Sequence, residues 1–210
     1  MRVLVIGANG KVGRQVVALL GPTHHEVLAM VRDPAQASAL EATGARAVVA
    51  DLEEDVTDVV SETDAVVFTA GSGGSTGGDK TLLVDLWGAI KTIRAAEAAG
   101  VKRYLMVSAI HAADPDQGRP AIRHYMVAKA LADERLEQST LDYAILRPGR
   151  LNDGPGTGLI RAGEDIGYGE ISRADVARTI VATLECENTI RRTFCILAGE
   201  TPIGEALARL

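Results

Sequence analysis

Aromatic side chains are scarce in this 210-residue sequence: two Phe, one Trp and four Tyr, 3% of the chain. They are Phe68, Trp87, Tyr104, Tyr125, Tyr143, Tyr168 and Phe194, and several fall in strand-like runs. Few are left to stack on a sugar ring or a nucleobase. Cysteine is scarcer still. Cys186 and Cys195 cannot build a disulfide framework, and two free thiols fit a reducing cytoplasm. No stretch approaches the ~20 apolar residues of a membrane span, and the apolar part of MRVLVIGANG is too short for a signal peptide. Neither membrane insertion nor export is expected. Positive charge is in deficit too: 22 Lys and Arg against 28 Asp and Glu leave a formal charge of -6, which offers no field for a nucleic-acid backbone.

What is present is an apolar content of 47%, ample for a core, in a length that suits one domain. Glycine is over-represented, at 22 residues against an average of ~7%. The first 70 residues alternate short β-branched runs (3–6, 26–31, 47–50, 65–69) with helical stretches (11–20, 35–43, 55–61). The strand runs are apolar throughout, as strands covered on both faces are. This predicts an α/β fold, a doubly wound parallel sheet with helices on both sides. The alternation continues through a glycine-rich loop at 71–78, a long helix at 79–99 ended by Gly100, a strand at 103–108, a loop at 109–120, a helix at 122–139 and a sixth strand at 142–146. Residues 148–169 read as a long loop. A short run at 170–172, a helix at 174–185, a strand at 193–197 and a helix from Ile203 close the chain. A single domain over 1–210 is expected, with a core to 147 and a small cap from 148 to 210 that does not fold by itself.

Glycine position carries the first functional signal. Gly7, Gly10 and Gly13 form G-A-N-G-K-V-G between the first strand and the first helix. That arrangement allows a tight turn, close approach of backbone to a pyrophosphate at a helix N-terminus, and close helix–strand packing. It is the dinucleotide-binding pattern of a Rossmann fold. A Walker loop needs four residues between its glycines and Ser or Thr after the lysine, whereas here Val12 follows Lys11. At the end of the second strand, Arg32 suits a 2'-phosphate and so favours NADP; Asp33 would serve NAD if it faced the ribose instead. Asp51, after the third strand, suits an adenine contact or a helix cap.

A second signal lies on the helix 122–139. Tyr125 and Lys129, four apart, share one face, and Ser108 ends the preceding strand. A tyrosine to move a proton, a cation beside it and a hydroxyl to orient an oxygen suit hydride chemistry at a carbonyl. None of the four histidines is expected to bind a metal: His24 and His25 sit in a turn, and His111 and His124 lack partners at metal spacing. His111 and His124 do lie near the predicted cleft. Leu82, Leu83, Leu86, Trp87, Ile90 and Ile93 form an apolar stripe on the long helix, read as core first and as a dimer face second. Arg150, Asn152 and Arg161 are polar candidates for an anionic substrate.

Through GANGKVG, VRDP, the DL at 51–52, DLWGAIKTI, YLMVS, HYMVAK, LDYAILRPG and ISRADVA, the chain resembles the short-chain dehydrogenase/reductase superfamily. It is most similar to the compact, atypical NAD(P)-binding members of the NAD-dependent epimerase/dehydratase type. The resemblance implies that Gly7, Gly10 and Gly13 bind the pyrophosphate, with Asn9, Lys11 and Val12 in the same turn, and that Arg32 binds the 2'-phosphate. It implies Asp51 and Leu52 beside adenine, Ala70 and Gly71 lining the cofactor, Lys129 on the nicotinamide ribose, Tyr125 as general acid, and Pro148 and Gly149 as a wall beside the nicotinamide. Homodimers through the long helix, which opens at Asp79 and closes at Ala99, are implied as well. The expectation is an NADP-dependent oxidoreductase acting on a small carbonyl or quinone-like substrate. The alternatives are an NADP(H)-sensing binding protein without turnover and a sugar epimerase/dehydratase-like enzyme, the latter short of aromatic stacking surface.

Overall fold

The computed structural model describes residues 1–74, 76–117 and 119–210. Ser75, in the loop 71–78, and Gly118, in the loop 109–120, lie outside the described residues. In chain order come β1 (Arg2–Ile6), α1 (Gly13–Leu20), β2 (Glu26–Val31), α2 (Ala37–Glu41), β3 (Arg46–Val49), α3 (Thr57–Ser61) and β4 (Ala65–Phe68). A continuous helix follows as α4 (Gly78–Lys80), a π-helical stretch (Thr81–Gly88) and α5 (Ala89–Ala99). Then come β5 (Arg103–Val107), α6 (Arg123–Glu137), β6 (Asp142–Pro148), β7 (Arg150–Asn152), β8 (Leu159–Gly163), β9 (Glu170–Ser172), α7 (Arg173–Leu184), β10 (Arg192–Ala198), β11 (Thr201–Pro202) and α8 (Ile203–Ala208).

Nine strands form one sheet in the order β11-β8-β10-β6-β5-β4-β1-β2-β3. From β3 to β10 every pairing is parallel, and β8 runs antiparallel to β10 and β11. Strand order reverses between β1 and β4, which opens a crevice beyond their carboxyl ends, where ligands of such sheets bind. The pleat of β1 divides the core. Val3 and Val5 face one layer with Val16, Val17 and Leu20 of α1 and Val176 and Ile180 of α7. Leu4 and Ile6 face the other, with Val60 of α3, Ile93 of α5 and Leu136 of α6. Burying each such aliphatic side chain contributes about 1.5–3 kcal/mol.

Two sequence expectations are corrected. The stretch 148–169 holds two strands, not a continuous loop: β7 pairs with β9, and β8 joins the main sheet with Ile160 wholly buried. The stripe on the long helix does not form core as a unit. Ile93 is buried, but Leu82, Leu83 and Trp87 are 57%, 41% and 44% exposed, and the inward face carries Thr81, Asp85, Gly88, Ala89 and Thr92. Polar partners inside explain the inversion. Thr92 Oγ1 lies 2.7 Å from the Tyr104 hydroxyl, the Asp85 carboxylate accepts from the Ser72 amide at 2.9 Å, and Gly88 leaves room for Leu52.

Candidate functional site

The glycine turn joins β1 to α1 at close quarters. Gly7 has φ +80°, and a Cβ there would stand 2.6 Å from the Ala70 backbone at the end of β4. The Gly10 amide donates to the Gly7 carbonyl at 2.9 Å, and a Cβ on Gly13 would come within 2.2 Å of that same oxygen. No side chain caps α1, and since the Arg14 and Gln15 amides donate to the Gly10 and Val12 carbonyls at 2.9 and 3.0 Å, an anion at this helix end would meet the backbone of the turn before them.

Beyond this turn lies a cavity of about 350 Å³ lined by Gly7, Asn9, Gly10, Arg32, Asp51, Leu52, Ala70 and Gly71, all expected from sequence, together with Gln36, Thr76, Lys80 and Val84. The strand ends β1, β2, β3 and β4 thus converge on one crevice. Arg32 borders it, whereas the Asp33 carboxylate is taken up by the Ala35 amide at 2.8 Å. Asp51 borders the cavity, and its Oδ1 accepts from the Glu53 amide at 3.0 Å in a turn that opens no helix, since α3 begins at Thr57. Lys80, which the sequence did not single out, is held by Glu53 at 2.6 Å. Glycine backbone at the turn, a helix end without a side-chain cap and a cation at the β2 end fit an adenine dinucleotide.

Other expected cofactor residues lie elsewhere. Val12 and Gly13 pack beneath the turn. The Lys11 ammonium is turned to Asp153 at 2.8 Å, clamping the turn to the segment after β7. Pro148 ends β6, and the Gly149 amide just after it donates to the Ile196 carbonyl at 3.1 Å. Arg150 and Asn152 are both engaged by Glu170, at 3.2 and 3.1 Å, which leaves them poorly available to an anion.

Behind the β4 end a buried polar chain runs away from the cavity. Gly71 touches Asp85 closely enough that a Cβ would meet Asp85 Oδ1 at 3.1 Å. Lys129, 1% exposed, lies between the charges of Asp85 and Asp133 with its Nζ 5.7 Å from the Phe68 ring centroid. Burial lowers its pKa against the pull of both carboxylates. Asp133 in turn accepts from the Ser108 hydroxyl at 2.8 Å and from Arg147 Nε at 2.9 Å, and burial raises its pKa despite those partners. Among the described residues the second oxygens of Asp85 and Asp133 have no hydrogen-bond partner.

Tyr125, Lys129 and Asp133 succeed one another at four-residue spacing along α6, so they share a face. Tyr125 is half-buried, and burial, followed by the charges of Asp85 and Asp133, pushes its phenol pKa well above the ordinary value. Ser108 is gathered to Asp133, two helical turns from Tyr125, and its proton is donated there. The sequence reading passes over Asp85 and Asp133. The signal for Asp85 is one acid alone inside the apolar run TLLVDLWG; that for Asp133 is its position one turn beyond Lys129. His111 stacks on Tyr168 at 4.7 Å, and Gly78 lies against His124.

The sequence model of the NAD(P)H-binding family matches residues 7–187. YhfK of Bacillus subtilis (strain 168), named an uncharacterized sugar epimerase, is 50% identical, with 100% of each chain covered. A Bacillus halodurans structure described as an NAD-dependent epimerase/dehydratase is 49% identical and superposes with a TM-score of 0.96 over 100% of both chains. ChuY from Escherichia coli O157:H7, described as an anaerobillin reductase, is 26% identical, with a TM-score of 0.81 over 94% of this chain and 97% of its own. No helix among the described residues is long and apolar enough to cross a membrane.

Proposed function

The chain belongs to the NAD(P)H-binding family, and from that premise we propose an NADP-dependent oxidoreductase that reduces a small carbonyl or quinone-like substrate with Tyr125 as general acid. The observation that carries this reading is the shared α6 face of Tyr125 and Lys129 behind the cavity wall. Bound nicotinamide would supply the hydride. Tyr125 would deliver the proton to the substrate oxygen, and its raised pKa keeps the phenol protonated at neutral pH, which suits reduction over alcohol oxidation. Lys129, buried with the charges of Asp85 and Asp133, would act through its own charge and limit that left on the phenolate. Ser108, its proton committed to Asp133, would act through the Asp133–Lys129 pair. A reductase among the relatives, ChuY, supports the direction of transfer.

Arg32 supports NADP over NAD, because Asp33, the residue that would favour the unphosphorylated ribose, already caps the turn after β2. Arg32→Ala is expected to weaken NADPH binding by ~10- to 100-fold, the worth of about 1.4–3 kcal/mol in charge-assisted hydrogen bonds. NADH binding should change by no more than about twofold, on the same scale. Calorimetric titration of both cofactors checks this; an equal loss for the two would remove Arg32 from the 2'-phosphate.

A second reading is favoured by the reach of the cavity, whose lining does not include Tyr125, Lys129 or Ser108. On that reading the protein binds NADP(H) and reports its redox state to a partner, with no turnover across a panel of carbonyls, quinones and flavins.

The homodimer we propose uses the outward face of the long helix, where Leu82, Leu83 and Trp87 adjoin Val127 and Leu131 of α6, at 41% and 45% exposure. Light scattering after size exclusion should find a dimer for the native chain and a monomer for Trp87→Glu, which replaces the apolar ring with a charge that the contact would have to desolvate. A native monomer would reject the interface.

A further inference from the structure

At the amino ends of the strands, opposite the cavity, His24, His25 and Glu185 bring three metal-ligating atoms within 4.8 Å of one another. The histidines lie in the turn before β2, and Glu185 is the C-cap residue of α7. In the sequence no third ligand stands beside the histidine pair. The fold supplies one from the far end of the chain.

The distances are informative. His24 Nε2 and His25 Nε2 both approach one carboxylate oxygen, Glu185 Oε1, at 3.2 and 3.3 Å. Both exceed the ~2.9–3.0 Å typical of an N–H···O bond. With metal–ligand bonds of ~2.0 Å, the edge of a coordination tetrahedron is about 3.3 Å. The two edges that meet at Glu185 Oε1 therefore have the length expected for ligands that share one ion, and all three atoms lie within 4.8 Å of one another. The ring of His25 is held in place, with its side chain only 4% exposed and its centroid 4.1 Å from that of His24.

Electrostatics make the same demand. The C-terminal end of a helix carries partial negative charge and favours cations, yet α7 has no basic residue in its last turn and ends on Glu185. The Met1 ammonium lies 3.5 Å from His25 Nδ1, on the ring edge away from Glu185, and the Glu185 carboxylate itself is met by the two imidazole Nε2 atoms.

We propose that His24, His25 and Glu185 form a divalent metal site of the zinc class, with two imidazoles and one carboxylate as protein ligands and the fourth position open to water. The ion would tie the end of α7 to the start of β2, joining the C-terminal part of the chain to the first βαβ unit. Its effect is on stability, because whatever binds only the folded chain stabilises it by mass action.

The test uses the full-length, untagged chain after chelator treatment. Titration with Zn2+ alone should give one site per chain, and Co2+ alone should give the visible absorption of a four-coordinate complex. The melting temperature should rise until one equivalent of Zn2+ is bound. His24→Ala and Glu185→Gln change exposed side chains and should fold; each should weaken Zn2+ binding by at least ~10-fold, as loss of a ligand does, and abolish the thermal shift. NADPH binding should be unaltered in both. Absence of one-to-one binding to the native chain, or native affinity in both variants, would overturn the proposal.

Discussion

Tyr125→Phe is expected to leave NADPH affinity within about twofold of the native protein and to lower the rate of carbonyl reduction by ~10²-fold or more, the usual contribution of a positioned general acid. The substitution removes one oxygen and keeps the ring, so packing on α6 beside Met126 and Lys129 survives. The native rate should also be flat from about pH 6 to 9, because the phenol's pKa is raised by burial and by Asp85 and Asp133 and lies above that window. Stopped-flow oxidation of NADPH with a quinone or small aldehyde reads both quantities. An unchanged kcat in Tyr125→Phe would end the assignment. Turnover absent from the native protein itself, with cofactor binding intact, would favour the sensing reading.

The half of the molecule that forms the candidate cofactor crevice is legible in sequence because each of its parts is local. Gly7, Gly10 and Gly13 sit within a single strand–turn–helix unit, Arg32 follows its strand directly, and apolar runs such as RVLVI and EVLAMV declare buried parallel strands. Legibility fails where partners are distant or where polarity is turned inward. Leu159 to Gly163 has glycine at its end and before its start and only two large aliphatic residues, so nothing nearby marks it as a strand; its pairing edge, β10, arrives some thirty residues later. On the long helix, hydrophobic periodicity pointed to the wrong face. Asp85, Thr81 and Thr92 are buried because Ser72, Lys129 and Tyr104 await them, and Leu82, Leu83 and Trp87 are left outside while Leu86 and Ile93 pack on the core. Tyr125 and Lys129 could be picked out by spacing alone. Asp133, the residue that draws Ser108 away from Tyr125, needed β5, β6 and α6 to be brought together.

Gly13→Ala tests the cofactor end without touching any charged group. The added methyl would stand 2.2 Å from the Gly7 carbonyl oxygen, 2.9 Å from its carbon and 3.0 Å from Ala8 Cα, all backbone atoms that no side-chain rotation can move away. Relief requires α1 to shift from β1, at a cost of about 1–3 kcal/mol, as for other overpacked sites. The same shift carries the backbone of the turn between Gly7 and Gly13 off the phosphate position. NADPH affinity should fall by ~100-fold or more, a larger loss than removing Arg32, because the whole phosphate cradle moves rather than one contact. Gly10→Ala is the milder companion, since its methyl would meet the Gly7 oxygen at 3.2 Å and needs only a small adjustment; it should fold normally and still bind NADPH less well. Gly204→Ala is the control. That glycine lies in α8 with nothing within 4 Å of the added carbon, so binding should be unchanged and the melting temperature slightly higher, as alanine gains about 0.5–1 kcal/mol over glycine inside a helix. Native affinity in Gly13→Ala and Gly10→Ala together would mean that the glycine turn does not hold the pyrophosphate.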